Sequence, residues 1–412
     1  MMMTEKKNVQ CTWQERVIDL LDFLKQEGLS PDLLDGIREF NAQYPTPPEL
    51  QNRIPQPRYH YYGKDVWEAA VAAILCGENL LLAGSKATGK NVLAENLAQV
   101  FARPAWDVSF HVNMDAASLI GMDTFEGGEV RFRPGPVYLC AKHGGFGVLD
   151  EINMAKNEAL AVLHATLDFR RAIDVPGYER VEVDPAARFI GTMNYGYAGT
   201  RELNEALTSR FVVIQMPSID QDGLVRLLSD EFPTLEKKYK EQFAQLFLDL
   251  QKKCKNAEIS EKALDLRGLL DALRLIRRGV GASRALDMGI TNKAFDSYEQ
   301  SLIRDVIAAR IPAKLDRSRL FTDCHGNVKL FRPAAPRHQP RLDGERGLSV
   351  RAAVFSAQIK RRAGLLHELR HRPCAQVVRR QDAKASLCLL GGRRAAERFR
   401  RAVLAGARER GV

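Results

Sequence analysis

The sequence contains no apolar run of membrane-spanning length, no pair of cysteines at metal-ligand spacing and no internal repeat. The first absence removes a transmembrane helix, which needs about 20 predominantly apolar residues. The second argues against a zinc site or a disulfide framework. Seven cysteines (Cys11, Cys76, Cys140, Cys254, Cys324, Cys374 and Cys388) are dispersed and odd in number, the pattern expected in a reducing cytosol. The opening MMMTEKKNVQCTWQERV is charged but has no apolar stretch or small-residue cleavage site after it, so it does not read as a secretory signal.

What is present is an ordinary globular composition, 45% hydrophobic and 27% charged, over 412 residues. That length accommodates two or three separate cores. The net charge of +10 is unevenly placed. Residues 315–412 hold 23 Lys and Arg against 8 Asp and Glu, a net of +15, whereas the preceding residues hold 38 and 43, a net of −5. The main body is mildly acidic, and the basic character belongs to the tail.

Periodicity divides the rest. Within residues 12–42, Val17, Leu20, Leu21 and Leu24 recur at helical spacing before a Gly-Leu-Ser-Pro break, which predicts a helical hairpin. The stretch YPTPPELQNRIPQPRYHYYG reads as an extended, proline-rich linker. Helices are predicted over DVWEAAVAAILCG, VLAENLAQVFA and NEALAVLHATLDF, and strands over ENLLLAG, AWDVSFHVNM, GGFGVLDEIN, ARFIGTMN and FVVIQMP. Strands and helices in alternation predict an α/β fold with a mostly parallel five-stranded sheet, its ligands at the carboxyl ends of the strands. From about Asp220 the pattern is helical throughout. The expected organisation is a helical segment and linker over 1–60, an α/β nucleotide-binding domain over 61–219, an all-α lid over 220–314 and an Arg-rich tail over 315–412.

Two motifs carry chemistry. GSKATGKN lies between a buried strand and a helix, and Gly84, Gly89 and Lys90 have phosphate-loop spacing. Such a loop curls its backbone N–H groups around phosphate, backed by the positive end of the next helix. The nucleotide-binding segment is therefore Gly84, Ser85, Lys86, Ala87, Thr88, Gly89, Lys90, Asn91 and Val92. Position 91 departs from the pattern, because Ser or Thr there would offer a hydroxyl to Mg²⁺. A carboxamide oxygen is also a hard ligand, so Asn91 is a candidate metal ligand alongside Asp150. Asp150 and Glu151 close the strand GVLDE; the first suits a metal and the second suits polarising an attacking water. His143, beside Gly144 and Gly145, has no catalytic partner and reads as a loop residue.

Taken in order, GSKATGKN, VLDEIN, FIGTMN, LTSRF and LDLRGLL resemble the AAA+ ATPases. Within them the chain is similar to the MoxR-type and CbbQ/NorQ/GvpN-like group, with McrB more distant, over about residues 60–315. The resemblance implies ATP and Mg²⁺ as cofactors. It makes Asn194 the sensor-1 residue, Arg210 an arginine finger reaching a neighbouring subunit, and Arg267 the sensor-2 arginine of the lid. Arg201 is a possible second interface arginine. A finger acting in trans implies a ring, expected to be a homo-hexamer. FEGGEVRFRPGPV resembles the hairpin inserted into helix 2 of this branch, and the region around DVPGYERVEV the hairpin before sensor 1; in relatives both face the pore.

By the same resemblance, the leading function is a cytoplasmic ATPase that remodels or activates a client protein, such as a metalloenzyme, with a von Willebrand factor A domain protein as partner. Two alternatives stand beside it: a nucleotide-driven nucleic-acid motor of McrB type, and a nucleotide-binding subunit made hydrolytically weak by Asn91. The acidic body weighs against a DNA-lined pore, which requires Lys and Arg on the core. The tail uses 3 Lys and 20 Arg, against 17 and 21 before it. It reads as a basic nucleic-acid- or protein-binding arm, as a partly helical segment, or as out-of-frame sequence of a GC-rich gene.

Overall fold

A computed structural model describes residues 13–175, 177–195, 202–312 and 315–322. Trp13–Gln26 (α1) and Pro31–Gln43 (α2) form the expected hairpin, turned by Gly28 at φ +83°. Pro31 opens α2, where its missing N–H would have had no helical partner. The inner face of the hairpin, including Leu20, Leu24, Ile37 and Phe40, joins the same buried cluster as Trp67 and Phe101. The hairpin is therefore part of the α/β core.

The proline-rich stretch is not a loose connector. Pro48–Arg53 makes a short 3-10 turn and Ile54 is buried. Beyond it the chain runs against the core, held by the fully buried Asn96 side chain. Asn96 Oδ1 accepts the Tyr61 N–H (3.1 Å), and Nδ2 donates to the Tyr59 carbonyl (2.9 Å). Trp67 Nε1 adds a bond to the Tyr61 carbonyl at 2.8 Å. Proline keeps this segment extended, but its apolar and aromatic residues find burial that composition alone does not announce.

The α/β domain continues with Lys64–Leu75 (α3), Leu80–Ala83 (β1), Lys90–Val100 (α4) and Ala105–Ser109 (β2). Ala116–Ile120 (α5), the hairpin Gly121–Glu126 (β3) and Glu129–Pro134 (β4), and Pro136–Lys142 (α6) come next. Phe146–Asp150 (β5) leads to Asn157–Leu160 (α7) and Leu163–Leu167 (α8). These two short pieces replace the single helix expected over NEALAVLHATLDF. Ala161 and Val162 keep helical dihedrals between them, but the Thr166 hydroxyl donates to the Val162 carbonyl (3.2 Å), a side-chain bond that competes with the helical ladder. Ala172–Ile173 (β6), Val181–Glu182 (β7), Arg188–Met193 (β8), Glu205–Thr208 (α9) and Val212–Gln215 (β9) complete the domain.

The main sheet has the order β2-β5-β8-β1-β9 and every pairing in it is parallel. Counting these five strands alone along the chain, the order is 5-1-4-3-2, the P-loop NTPase arrangement expected from the motifs. Ala83 pairs with Met193 and Leu149 with Gly191, so β1, β8 and β5 end side by side. Both expected hairpins are present. The β3–β4 turn uses Gly127 and Gly128 at φ +64° and +89° between Glu126 and Glu129, and the next cross-strand pair, Phe125 and Val130, is 77% and 64% exposed. The Tyr178 hydroxyl, in the β6–β7 hairpin, donates to Asp123 Oδ1 of β3 at 2.6 Å, lashing one hairpin to the other.

The helical domain comprises Gln221–Glu231 (α10), Lys237–Lys255 (α11), Leu266–Arg277 (α12), Ala282–Gly289 (α13) and Ser297–Arg310 (α14). It does not stop at 314. Leu315, and Leu320 in Arg317–Leu320 (α15), are buried in its core with Phe321, which bridges Leu235. The switch in Lys and Arg usage thus precedes the last described residues of the fold. The remainder of the tail, 323–412, lies outside the described residues. The domain's core is a cluster distinct from those on the two faces of the sheet.

Phe101 is fully buried, with ring centroids 5.0 Å from Phe40 and 5.8 Å from Phe146, so it ties the N-terminal hairpin to the sheet. Phe101→Ala is expected to cost about 3–5 kcal/mol, read as a lower urea midpoint at unchanged slope.

Candidate functional site

Because β1, β8 and β5 end together, Gly84, Asn194 and Glu151 leave the sheet at one place, where an open α/β sheet binds ligand. The loop after β1 bends through Ala87 (φ +64°) and Gly89 (φ +83°) before α4 begins at Lys90. Gly84 has no room for a side chain, since a Cβ there would lie 2.9 Å from Met216 Cβ and 3.0 Å from its carbonyl oxygen. The first turn of α4 carries no acidic residue. Its positive end is therefore uncompensated and points into the loop.

Lys90 is 7% exposed. Its ammonium donates to the Gly84 carbonyl (3.0 Å), the Ser85 carbonyl (2.8 Å) and Thr88 Oγ1 (3.2 Å). Burial pushes the Lys90 pKa down to about 8, against the pull of Asp150 and Glu151. A cation held in that balance gains from a second source of negative charge, which a phosphate supplies.

Thr192, 1% exposed on the central strand β8, organises the acidic pair. Its hydroxyl donates to Asp150 Oδ1 (2.6 Å) and accepts the Glu151 N–H (3.0 Å). Glu151 adopts a left-handed backbone conformation, φ +55°, which is sparsely populated outside glycine. Asn194 Nδ2 donates to Glu151 Oε1 at 3.2 Å, and the Asn153 carboxamide anchors the Asn194 carbonyl at 2.8 Å.

A cavity of about 1030 Å³ gathers most of the expected residues: Lys86 through Val92, Asp150, Glu151, Asn194 and Arg267. Gly84 and Ser85 act through the carbonyls that hold Lys90. Arg267 enters from the first turn of α12, capped by Asp265, whose Oδ1 accepts the Arg267 N–H at 3.0 Å. Arg210 stands apart, tied to His164, Ala206 and Asp168 of its own protomer. Arg201 lies outside the described residues. The fit to a nucleoside triphosphate and Mg²⁺ is good. The loop and ammonium suit phosphate, while Asp150 and Asn91 give two oxygen donors, too few for Mg²⁺ unless phosphate or water adds more.

Residues 79–211 match the AAA domain family, dynein-related subfamily. Protein YojN of Bacillus subtilis (strain 168), itself uncharacterized, is 32% identical over 309 residues, covering 74% of this chain and 98% of its own. An uncharacterized protein of Staphylococcus aureus (strain NCTC 8325 / PS 47) is 37% identical over 256 residues, 60% of this chain and 97% of its own. The chain belongs to the AAA+ family.

In this AAA+ protein some of the site comes from residues that motif spacing did not single out. Tyr59 to Gly63, in the stretch read as a linker, form one wall of the cavity. Arg226 of α10 spans to Glu27 beyond α1 and lies 4.6 Å from the Tyr62 ring centroid, while Tyr62 bonds Asp230. Arg274 of α12 pairs with Glu231 (2.8 Å), as does Arg58 (2.5 Å). The aromatic cluster RYHYY in a polar stretch was the available signal for this wall. For Thr192 it was a hydroxyl in an otherwise apolar central strand.

Thr192→Val is expected to lose about 1–3 kcal/mol of unfolding free energy, because a half-buried carboxylate and a backbone N–H lose their partner. Thr192→Ser, which keeps the hydroxyl, should lose less; urea titration of both variants checks the order.

Proposed function

We propose that this AAA+ protein binds and hydrolyses ATP with Mg²⁺ and uses the cycle, as a ring of identical subunits, to remodel or activate a client protein. The observation that carries the hydrolytic reading is the convergence of Lys90, Glu151 and Asn194 on one cavity, with Asn194 bonded to Glu151. Lys90 and the amides of its loop hold the terminal phosphates. Glu151 accepts a proton from the attacking water, and Asn194 fixes the carboxylate that does so. Asp150 and Asn91 would hold Mg²⁺, which neutralises charge on the phosphates when bound. Arg267 closes the cavity from the lid. Arg210 serves the neighbouring subunit, so each site is complete only between two copies. A hexamer is the ring this reading favours.

A protein client is favoured over nucleic acid by the β3–β4 hairpin. Next to its Gly-Gly turn it exposes the apolar pair Phe125 and Val130, and the charge of Arg131 and Arg133 is offset by Glu126 and Glu129 at the turn, with Arg131 paired to Glu129 at 3.0 Å. A phosphate backbone calls for clustered positive charge, whereas exposed Phe125 and Val130 suit apolar side chains of a polypeptide. A cytoplasmic setting and a von Willebrand factor A domain partner belong to the same reading.

Turnover measurements test it. Lys90→Ala is expected to abolish nucleotide binding in calorimetry, while Glu151→Gln retains it and loses at least about a hundredfold in kcat. Normal turnover by Glu151→Gln would refute the assignment of the base. For the metal side, Asn91→Thr is expected to raise kcat and lower the Mg²⁺ concentration required, because a hydroxyl on the first helical turn reaches the cation directly. A slower Asn91→Thr enzyme would instead make the carboxamide the better ligand here.

A further inference from the structure

Arg210 is held firmly within its own protomer. Its Nε–H donates to the His164 carbonyl (3.1 Å), one terminal nitrogen donates to the Ala206 carbonyl, and the other reaches Asp168 Oδ2 (3.3 Å). A guanidinium has five N–H donors. Among the described residues these contacts leave one donor on each terminal nitrogen, enough to grip a phosphoryl group in bidentate fashion. The side chain is anchored, and its two terminal nitrogens keep capacity for a further acceptor.

Of the three acceptors only Asp168 carries charge, and it has a second arginine of its own. Arg170 donates to both Asp168 oxygens at 2.7–3.1 Å, and its backbone N–H donates to Oδ1 at 2.9 Å. Those bonds, the Arg170 side chain first, hold the Asp168 carboxyl at about 2, so it is ionised at any working pH. Asp168's side chain is only 10% exposed, and Arg210's 22%. The close, multidentate pairing is with Arg170; the contact with Arg210 is single and longer. Arg170 thus satisfies most of the carboxylate's charge, which leaves Asp168 able to orient Arg210 without cancelling it.

We propose that Asp168 is a positioning residue for Arg210, fixing within one subunit the guanidinium that completes the nucleotide site of the next. The proposal rests on the reading that Arg210 acts in trans, and its test separates the two. Asp168→Asn keeps an oxygen for the Arg170 N–H, and so keeps the turn after α8, but removes the charge. Its kcat with Mg²⁺ and ATP should fall about tenfold or more while KM for ATP stays within about twofold, since the loop and Lys90 that hold the phosphates are untouched and the finger acts on the transition state. Asp168→Glu, with the charge restored one methylene farther out, should recover part of the loss.

Mixing subunits gives the readout that a merely structural role would not produce. Arg210→Ala has an intact cavity and no finger; Glu151→Gln has a finger and no base. Their mixture should be more active than either alone, and absence of that gain overturns the reading of Arg210 in trans. Given the gain, Asp168→Asn should likewise be rescued by Glu151→Gln but not by Arg210→Ala, because both of the latter pair lack a working finger. Rescue of Asp168→Asn by Arg210→Ala, or an unchanged kcat, overturns the role of Asp168 alone. If Asp168→Asn does not fold, Arg170→Gln leaves the whole carboxylate charge to Arg210, which should cancel the guanidinium instead of only orienting it. A fall in kcat with the same mixing pattern supports the proposal, and wild-type kcat overturns it.

Discussion

A buried ammonium sets the terms of this structure. Lys90 sits nearly out of water, its proton held by two carbonyls and a hydroxyl of its own loop and by the field of two carboxylates. Removing a charge from water is costly unless compensating dipoles are fixed in place. The glycines at 84 and 89 let the loop curl far enough to supply them, and the uncapped end of α4 adds positive potential beside the ammonium. The result is a concentrated positive site that its own acidic neighbours only partly offset. The parallel sheet does the rest by ending three adjacent strands at one level, so that Glu151, Asp150 and the loop around Lys90 need no long side chains to meet.

The lid is attached differently. Its hydrophobic cluster is largely its own, with Tyr59, Tyr62 and Ala87 packed on its edge, and the polar contacts that the N-terminal segment adds around the cavity include Glu27 with Arg226, Arg58 with Glu231, and Tyr62 with Asp230. Pairs of this kind, partly exposed, contribute about 0–1 kcal/mol each. The Asn96 clamp and the hairpin core around Phe101 are buried and far stronger. The N-terminal segment is therefore built onto the sheet and only clasped to the lid. That asymmetry leaves the lid, which carries Arg267 on α12, the less firmly attached of the two.

The elements legible in the sequence were those whose chemistry is local. Gly84, Gly89 and Lys90 are a loop by spacing alone; Asp150 and Glu151 are announced by four apolar residues before them; all five sheet strands and the helical hairpin follow from periodicity. What was hidden is made by residues distant in the chain. Asn96 reads as an unremarkable polar residue on α4 until residues 59–61 are laid beside it. Asp168 and Arg210 are separated by 42 positions. The proline-rich stretch misled because proline signals extension correctly but is silent on burial. The boundary at 314 misled because composition tracks codon and charge usage, whereas Leu315, Leu320 and Phe321 are placed by what they pack against.

Asn91 shows why local chemistry settles only part of such a site. The residue stands in the first turn of α4, where its backbone N–H faces the phosphate loop whatever its side chain. Exchanging Ser or Thr for Asn therefore leaves the anion-binding dipoles in place and alters only the ligand offered to the cation. The carboxamide oxygen is a stronger dipole than a hydroxyl but sits one bond farther from the backbone, so it either folds back or binds through water. Asp150, with one oxygen committed to the Thr192 hydroxyl, cannot swing to compensate. On the proposed reading phosphate affinity and metal geometry are thus separable: the first is built into the backbone and Lys90, and the second hangs on two side chains, one of them locked from behind by Thr192.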